Sequence, residues 1–182
     1  MVVDESSISE RSRQTMSAVA SKTVVPAGTW AVDPVHTTIG FQVTDTSDLF
    51  STIVGRFTDY EGRIEGGDTP SLEGAIRVAS VSTDNDQRDA HLRSPDFLDA
   101  EKSPEIRFRS ITVEPTGEDT FHVRGELTVK ETPFELELDG RVRGVGTGKA
   151  GDERLVIDAR GSFDWGTTTV DVTAAVSATK EA

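Results

Sequence analysis

Three histidines and the charged residues beside two of them are the groups in this 182-residue sequence whose types and spacing suggest chemistry. His36 follows Asp33 by three positions, and His91 follows Arg88 by three. Residues three apart on a helix share a face, so Arg88 and His91 would point the same way from a short helix. With His36 at the start of a strand, they would form a polar collar that binds the head group of a ligand. Alternatively, Arg88 and Asp89 tie the helix to its surroundings through charge-assisted hydrogen bonds, as Asp33 and His36 would tie a strand.

The same groups permit a catalytic interpretation. A hydrolase or isomerase needs a nucleophile, a base and an orienting acid within reach of one another, and His36 and His91 with Asp33 or Asp89 offer the base and the acid. The sequence holds no Gly-x-Ser-x-Gly motif. A metal site needs closely spaced ligands, whereas His36, His91 and His122 are scattered and cysteine is absent. We therefore expect neither a metal nor a cofactor, and we keep an enzyme using His36 and His91 as an alternative to a binding protein.

The elements that position these residues are predicted to be strands, because apolar and polar residues alternate with a period of two from Trp30 onward. In the clearest segment, from Phe134 to Arg143, apolar residues take one face and charged residues the other. The segment from Phe121 to Lys130 repeats the pattern. The pattern predicts eight strands, at His36–Asp45, Ser51–Glu65, Leu72–Val81, Glu105–Glu114, Asp119–Lys130, Pro133–Val145, Glu153–Phe163 and Val170–Thr179.

Short connections between most of these strands favour an antiparallel sheet that coils and closes into an eight-stranded β-barrel. A change of phase between Phe108 and Ile111 predicts a β-bulge near Ser110, which would help the sheet to coil. Four glycines after Val142 predict a flexible hairpin loop without the pattern of a phosphate-binding loop, namely Gly144, Gly146, Gly148 and Gly151.

The period of two is interrupted over residues 84–99, where residues typical of helix starts appear. Thr83 or Asp84 would cap a short helix that ends at Arg93, and Ser94–Pro95 would begin a further turn through Phe97. An excursion of this size after the third strand would lie as a lid over one mouth of the barrel.

Composition supports one antiparallel β domain and limits its partners. A chain of 182 residues suits a single domain, and 35% hydrophobic with 28% charged residues suits a sheet with one wet face. The formal charge of −13 disfavours nucleic acid and anionic membrane surfaces as partners. It leaves open a protein-interaction module that acts through an acidic outer face, which high salt would weaken.

The first residues differ in character from the rest. Residues 1–28 are rich in serine with mixed charges, so we predict a disordered leader followed by a barrel domain over residues 29–180. The leader lacks the apolar core of a secretion signal, and no run of about 18 apolar residues occurs later. We therefore predict no integral membrane segment and a cytoplasmic location.

Small residues on the predicted inner face bear on whether the barrel is hollow. A barrel of this size either fills with side chains or holds one small ligand, and close packing means that small inward residues leave an apolar, elongated cavity. The alternative is that glycines relieve crowding at bends while Phe and Leu seal the interior. The small residues assigned to the inner face are Gly40, Gly55, Gly74, Gly125, Gly140, Ala159, Gly161, Ala174 and Ala178.

Several of these segments resemble, in order, the motifs of the YceI-like, polyisoprenoid-binding family. The segment from Trp30 to Phe41 resembles the family's first strand, and the segment from Gln87 to Phe97 contains an Arg-Asp-x-His-Leu core followed by Asp-Phe. Pro104 to Phe108, Gly125 to Thr128 and Asp164 to Gly166 complete the pattern. The resemblance covers residues 30–178.

The resemblance implies a lipocalin-like barrel that binds a polyisoprenoid chain, such as an isoprenoid quinone, for carriage, storage or sensing, and performs no chemistry on it. It also points to a homodimer. The residues expected to contact the ligand are His36, Arg88 and His91 near the head group and Phe41, Phe57, Phe97, Phe108, Leu127, Leu138 and Trp165 along the apolar chain.

Overall fold

The computed structural model describes residues 23–45 and 51–182, which form strands, a single 3₁₀ turn and one α-helix. The helix is α1, Asp86–Arg93, between β6 and β7. All strand pairings are antiparallel. The strands are β1 Gly28–Val32, β2 Thr38–Asp45, β3 Ser51–Phe57, β4 Tyr60–Gly66, β5 Ser71–Arg77, β6 Val81–Ser82, β7 Glu105–Pro115, β8 Thr120–Val129, β9 Thr132–Thr147, β10 Glu153–Trp165 and β11 Thr168–Lys180.

These strands build the eight staves of a closed barrel. Three staves each consist of two strands in line, namely β1 with β2, β3 with β4, and β5 with β6, and the other five are β7 to β11. β11 pairs with β10 on one side and with both β1 and β2 on the other, which closes the ring. The predicted eight-stranded antiparallel barrel is thereby confirmed.

The three staves built from two strands are neighbours in the barrel. The irregular segments that interrupt them are hydrogen-bonded to one another. The breaks fall at residues 33–37, 58–59 and 78–80. The backbone N–H of Thr58 donates to Ser80 O at 3.3 Å, and the Tyr60 hydroxyl donates to the carbonyl of Thr37. The unbroken strand predicted over Ser51–Glu65 was therefore wrong. Phe57 and Tyr60 both face inward, so the phase of the alternation changes across the break.

The eight predicted strands began at His36 and did not include β1, although the alternation and the resemblance both begin at Trp30. The structure places His36 in the turn between β1 and β2. β1 is only five residues long and pairs with β4 and β11 at its two edges. Because its neighbours lie far along the chain, the sequence near Trp30 gives little sign of them.

β9 and β10 form a hairpin that extends beyond the rest of the barrel. Pairing between β8 and β9 ends at Thr120 and Arg141, whereas β9 continues to Thr147 and pairs there with β10. A bulge at Arg143 shifts the register of this pairing. Gly144 and Gly146 are therefore strand residues, and the prediction of a flexible loop was wrong for these two. Exposed glycines weaken the alternation without ending the ladder.

The bulge predicted near Ser110 is confirmed. The register of β7 with β8 shifts between Ser110 and Thr112, which leaves Ile111 exposed on the outer face. Such a bulge increases the local twist and helps a sheet to close.

Asn85 caps α1, one position after Asp84, the later of the two predicted caps. Its side chain accepts a hydrogen bond from the backbone N–H of Arg88 at 2.9 Å. Asp84 instead adopts a positive φ of 57° and contacts Arg56 at 3.1 Å. Beyond α1, the backbone N–H of Phe97 donates to Ser94 O at 3.0 Å in a hydrogen-bonded turn. This turn leads into Leu98, which is buried against the barrel.

The interior of the barrel has two halves, which we call the base and the lid half. The base is a cluster of side chains no more than 8% exposed: Val24, Val25, Trp30, Ile64, Phe121, Val123, Leu155, Ile157 and Ala178. The lid half has the buried residues Val78, Leu98, Ile106, Leu127, Val129, Leu136, Phe163 and Val170. Phe108 and Leu138 pack against both clusters and mark the middle of the barrel.

The segment before β1 closes the base. The backbone N–H of Gly67 donates to Val25 O at 3.0 Å, and the indole N–H of Trp30 donates to Pro26 O at 3.0 Å. Residues 23–28 had been assigned to a disordered leader, but Val24 and Val25 are buried and Gly28 begins β1. The rest of the predicted leader, residues 1–22, lies outside the described residues.

Candidate functional site

The candidate site is the interior of the lid half. Apolar side chains that point toward the barrel axis keep part of their surface accessible, although the wall surrounds them. In the base, Trp30 and Leu155 are fully buried, and six partly exposed apolar residues pack against the cluster, compared with ten in the lid half. The difference indicates open space in the lid half. The partly exposed inward residues are Phe41, Val43, Phe57, Ile76, Phe108, Phe134, Leu138, Trp165 and Val172.

Two of the predicted aromatic contacts lie flat against this wall. Phe41 on β2 is the register partner of Gly55 on β3, and a Cβ added to Gly55 would overlap the Phe41 ring. Phe108 on β7 covers Gly125 on β8 at 2.5 Å from the position of a Cβ. Gly55 and Gly125 therefore leave room for the ring of a neighbouring phenylalanine to lie flat on the backbone. Both rings lie against the wall of the barrel.

The other predicted apolar contacts also belong to the lid half. Phe57 lies 5.6 Å from Phe41 between ring centroids, and Trp165 ends β10. Leu138 is partly exposed toward the interior, whereas Leu127 is 8% exposed and packs among the buried residues of the lid half. The structure therefore brings Phe41, Phe57, Phe108, Leu127, Leu138 and Trp165 into one apolar lining.

One small residue assigned to the inner face lies on the outer face. Gly40 pairs with Arg56 and Thr173, whose side chains are exposed, while its neighbours Ile39 and Phe41 point inward. Alternation places Gly40 on the same face as the polar residues Thr38, Gln42 and Thr44, so the assignment of Gly40 to the inner face was wrong.

His36 lies on the outside of the wall. Its Nδ1 is 2.7 Å from Asp33 Oδ2, and Arg154 NH1 donates to the same oxygen at 3.0 Å. The hydrogen bond with His36 is the largest cause that lowers the pKa of Asp33, from 3.8 to about 2, and the Val35 N–H and Arg154 lower it further. This cluster fastens the break between β1 and β2 to β10 beside the base.

Arg88 and Asp89 hold the lid through one buried threonine. Arg88 Nε donates to Thr83 Oγ1 at 2.7 Å, and Thr83 Oγ1 donates to Asp89 Oδ1 at 2.6 Å. The backbone N–H of Thr83 donates to the same carboxylate oxygen at 2.8 Å. Asp89 is 4% exposed, and these hydrogen bonds from Thr83 hold the pKa of its carboxyl below the ordinary value. The arrangement matches the structural alternative for this pair.

His91 and Phe97 form a separate pair on the surface of the lid. Their rings meet edge to face with centroids 4.8 Å apart, and Phe97 is 41% exposed. His91 lies on α1, at the lid half, while His36 lies beside Arg154, at the base. The structure does not bring the two histidines together, so the predicted collar and the two-histidine catalytic site lack their geometry.

The described parts of the chain contain neither a metal-binding cluster nor a membrane-spanning helix. Across residues 23–45 and 51–182, no group of three or more histidines and carboxylates is arranged to hold a metal ion. His122 pairs with Asp139 at 3.0 Å on the outer face, and that hydrogen bond raises the pKa of His122. No helix among the described residues has the length and apolar character needed to cross a membrane.

Sequence reasoning missed several lining residues on the last three strands. Phe134 and Val172 face the interior of the lid half and are partly exposed, and Phe163 lies 5.4 Å from Phe134 between ring centroids. The signal was available, because each has the inward phase of a strand that the sequence predicted. The sequence did not show which inward positions lie in the lid half.

The fold and the lining define the class of protein: an eight-stranded, lipocalin-like antiparallel β-barrel with an apolar interior. Residues 30–179 match the model of the YceI-like domain, and the chain belongs to this family. It is 32% identical over 132 residues to the UPF0312 protein plu2095 of Photorhabdus laumondii, covering 70% of this chain and 67% of that relative. The chain spans between 59% and 68% of the length of the curated relatives it matches.

Solved structures share the fold. The crystal structure of the Campylobacter jejuni YceI protein is 26% identical, with a TM-score of 0.65 over 72% of this chain and 87% of that one. A polyisoprenoid-binding domain from Saccharophagus degradans is 14% identical, with a TM-score of 0.61 over 84% of this chain and 98% of that domain.

Proposed function

We propose that this chain binds a long apolar lipid, of the polyisoprenoid or isoprenoid-quinone type, inside the lid half of the barrel and performs no chemistry on it. One observation carries the proposal: apolar side chains that face the barrel axis are only partly buried. Side chains of this kind are normally buried to close packing inside a protein. A hydrocarbon chain along the axis would cover them and complete the core.

The lining suits a flexible hydrocarbon. The inward positions of β9, β10 and β11 within the lid half are apolar residues or glycine. Each square ångström of apolar surface removed from water contributes about 25 cal/mol, so a long chain gains affinity along its length without a specific polar contact. Membership of the YceI-like family and the likeness to a polyisoprenoid-binding domain support an isoprenoid as the occupant.

The absence of chemistry in the proposal follows from the positions of the polar groups. His36 is engaged with Asp33 on the outer wall, and His91 packs on Phe97 at the lid surface. Neither points into the lining described above. A bound lipid would therefore meet hydrocarbon and aromatic surface rather than a base and its acid.

Two adjacent alanines on β11 provide a matched test. Ala174 points inward between its register partners Ala159 and Ile39, and Ala175 is exposed on the outer face. We expect Ala174→Phe to occupy the axis and to reduce the lipid that co-purifies with the protein. Ala175→Phe should retain it. The measurement is organic-solvent extraction of each purified protein followed by mass spectrometry, with the wild-type chain as reference.

An isoprenoid recovered from the wild type and from Ala175→Phe, but depleted in Ala174→Phe, supports the proposal. Circular dichroism checks that both variants keep the barrel. Equal lipid content in the two variants would place the lipid outside the barrel, and a wild type that binds no added isoprenoid quinone would contradict the proposal altogether.

A further inference from the structure

We propose that a lipid enters the barrel beneath the lid tip, residues 94–98, and that the side chain of Lys130 holds this entrance closed. The inference rests on the proposed function, because it needs a lipid that occupies the lid half. Lys130 lies in the two-residue turn between β8 and β9, and its Nζ donates a hydrogen bond to the carbonyl oxygen of Pro95 at 3.1 Å. This contact joins the rim of the barrel to the lid tip.

The lid is held differently on its two sides. Toward β6, Thr83 Oγ1 accepts from Arg88 Nε at 2.7 Å and donates to Asp89 Oδ1 at 2.6 Å, and the Asp89 carboxylate is buried. At the lid tip, the hydrogen bond from Lys130 to Pro95 is exposed. An exposed hydrogen bond opens more readily than a buried one, because water replaces the lost partner. The lid should therefore open at its tip rather than at α1.

Apolar side chains lead from the surface to the interior at the lid tip. Phe97 is 41% exposed, whereas the next residue, Leu98, is 6% exposed and belongs to the buried cluster of the lid half. Leu127 and Val129, near the end of β8, belong to the same cluster. The lid tip is not part of any strand, so moving it away from the β8–β9 turn would uncover the apolar lining without breaking the barrel.

The backbone of the β8–β9 turn is unusual for its residues. Lys130 and Glu131 have φ angles of 49° and 62°, and Val129 pairs with Thr132 on either side of them. Two-residue turns with both central residues in the left-handed region favour asparagine, aspartate or glycine. Residues held in such conformations cost free energy, and they cluster at binding sites and at segments that move. This turn fixes the position from which Lys130 reaches the lid tip.

Stopped-flow mixing with a short-chain isoprenoid quinone, followed by quenching of tryptophan fluorescence, measures how fast the lipid enters and leaves. Lys130→Met removes the hydrogen bond and keeps most of the side-chain length. We expect entry and release to become roughly two- to tenfold faster while Kd changes by less than about twofold, because the lysine would hold the lid rather than contact the lipid. Lys102→Met is the matched control, since Lys102 is exposed just beyond the lid tip, and both rates should match those of the wild type.

A cross-link tests the entrance directly, because the chain has no cysteine of its own. A cleavable thiol reagent that joins the two cysteines of a Pro95→Cys, Lys130→Cys variant should stop exchange of the quinone, and cleavage of the reagent should restore it. The same reagent in a Gln42→Cys, Val54→Cys variant joins register partners on the outer face of β2 and β3, and it should leave exchange unchanged.

Unchanged rates in Lys130→Met, or exchange that persists after residues 95 and 130 are joined, would overturn this inference and leave the proposed function intact. A wild type that binds no quinone would contradict the proposed function, and the lid can then be followed without lipid. Pulsed electron spin resonance between labels at Asp96→Cys and Thr132→Cys should show longer distances in the Lys130→Met background than in the Lys102→Met background. Equal distances would overturn the inference in that case as well.

Discussion

Phe41 lies against the barrel wall because its cross-strand partner is Gly55, and the same relation holds between Phe121 and Gly140. From the sequence alone, inward glycines indicate either missing volume or relief of crowding at bends. The structure shows that they also set the direction of a neighbouring ring. Because a ring seated on glycine stays near the wall, an aromatic residue can line the interior without filling it.

Gly55→Ala tests this relation between glycine and ring. The added methyl group would overlap the Phe41 ring and push it toward the axis, so we expect a loss of about 1–3 kcal/mol in the free energy of unfolding and less bound lipid. Gly40→Ala, on the outer face of the partner strand, should cost less. The double variant Gly55→Ala, Phe41→Leu should recover part of the loss in urea denaturation if the clash is the cause.

His36 and Asp33 give a second residue-scale prediction, which concerns acid stability. The pKa of Asp33 lies at about 2 in the folded protein, below 3.8, so its ionised form adds stability that is fully present above about pH 3.8 and is lost as the pH falls toward 2. His36→Ala removes the largest cause, and the folded pKa should rise toward 3.8.

Urea denaturation between pH 2 and 6 checks the role of His36. The difference between wild type and His36→Ala should be largest above about pH 4 and should shrink as the pH falls through the window set by the two pKa values. His91→Ala removes a histidine that packs on Phe97 and serves as the control. A pH-independent difference for His36→Ala would contradict this assignment, and unchanged lipid content would agree with its place on the outer wall.

At the scale of elements, α1 is held by buried hydrogen bonds rather than by an apolar face. Asp89 is the helix residue that is buried, and it accepts from both the hydroxyl and the backbone N–H of Thr83. A buried carboxylate that loses its partners is costly, so this contact fixes where the helix sits. The segment after α1 then places Leu98 against the lid half.

Asp89→Asn should loosen the lid while leaving the barrel intact. We expect faster amide hydrogen exchange across residues 83–104 and a loss of about 1–3 kcal/mol in local stability, because an amide replaces the charged acceptor. Asp86→Asn, an exposed position in the first turn of the same helix, should have little effect. Equal exchange in the two variants would show that the Thr83 contact does not hold the lid.

The elements that the sequence predicted well are those whose pairing is local. β8, β9 and the bulge at Ser110 followed from alternation alone, since each strand pairs with its neighbour in the chain. β1 and the break at Thr58–Asp59 were missed because they depend on pairing with distant strands, β11 and β6. The position of the helix in the chain was predicted correctly. Its N-cap is Asn85 rather than Asp84, because the Asp84 side chain instead accepts a hydrogen bond from Arg56.

At the scale of the whole molecule, the barrel divides into a base and a lid half in which more of the inward side chains are partly exposed. One leucine in the base and one at mid-barrel test this division. Leu155 in the base is fully buried, and Leu138 at mid-barrel is partly exposed to the interior. Leu155→Ala should cost about 2–5 kcal/mol in the free energy of unfolding and leave lipid content unchanged. Leu138→Ala should cost less and should lower lipid retention. A reversed order, measured by urea denaturation and extraction, would contradict the division.

The candidate site was predicted in part. The apolar lining residues Phe41, Phe108 and Leu138 came from the inward phase of their strands, which alternation reveals. The polar collar did not form, because whether His36 and His91 meet depends on which end of the barrel each connection occupies. Short-range spacing, such as the three positions between Arg88 and His91, carries no information about that distance.

The base has a consequence for how the proposed lipid would leave the protein. Trp30, Leu155 and their neighbours bury one another whether or not the lid half is occupied, so the cohesion of the molecule does not rely on its contents. Release of the proposed lipid would then be a reversible binding equilibrium rather than an unfolding event, and the empty form would survive to be filled again.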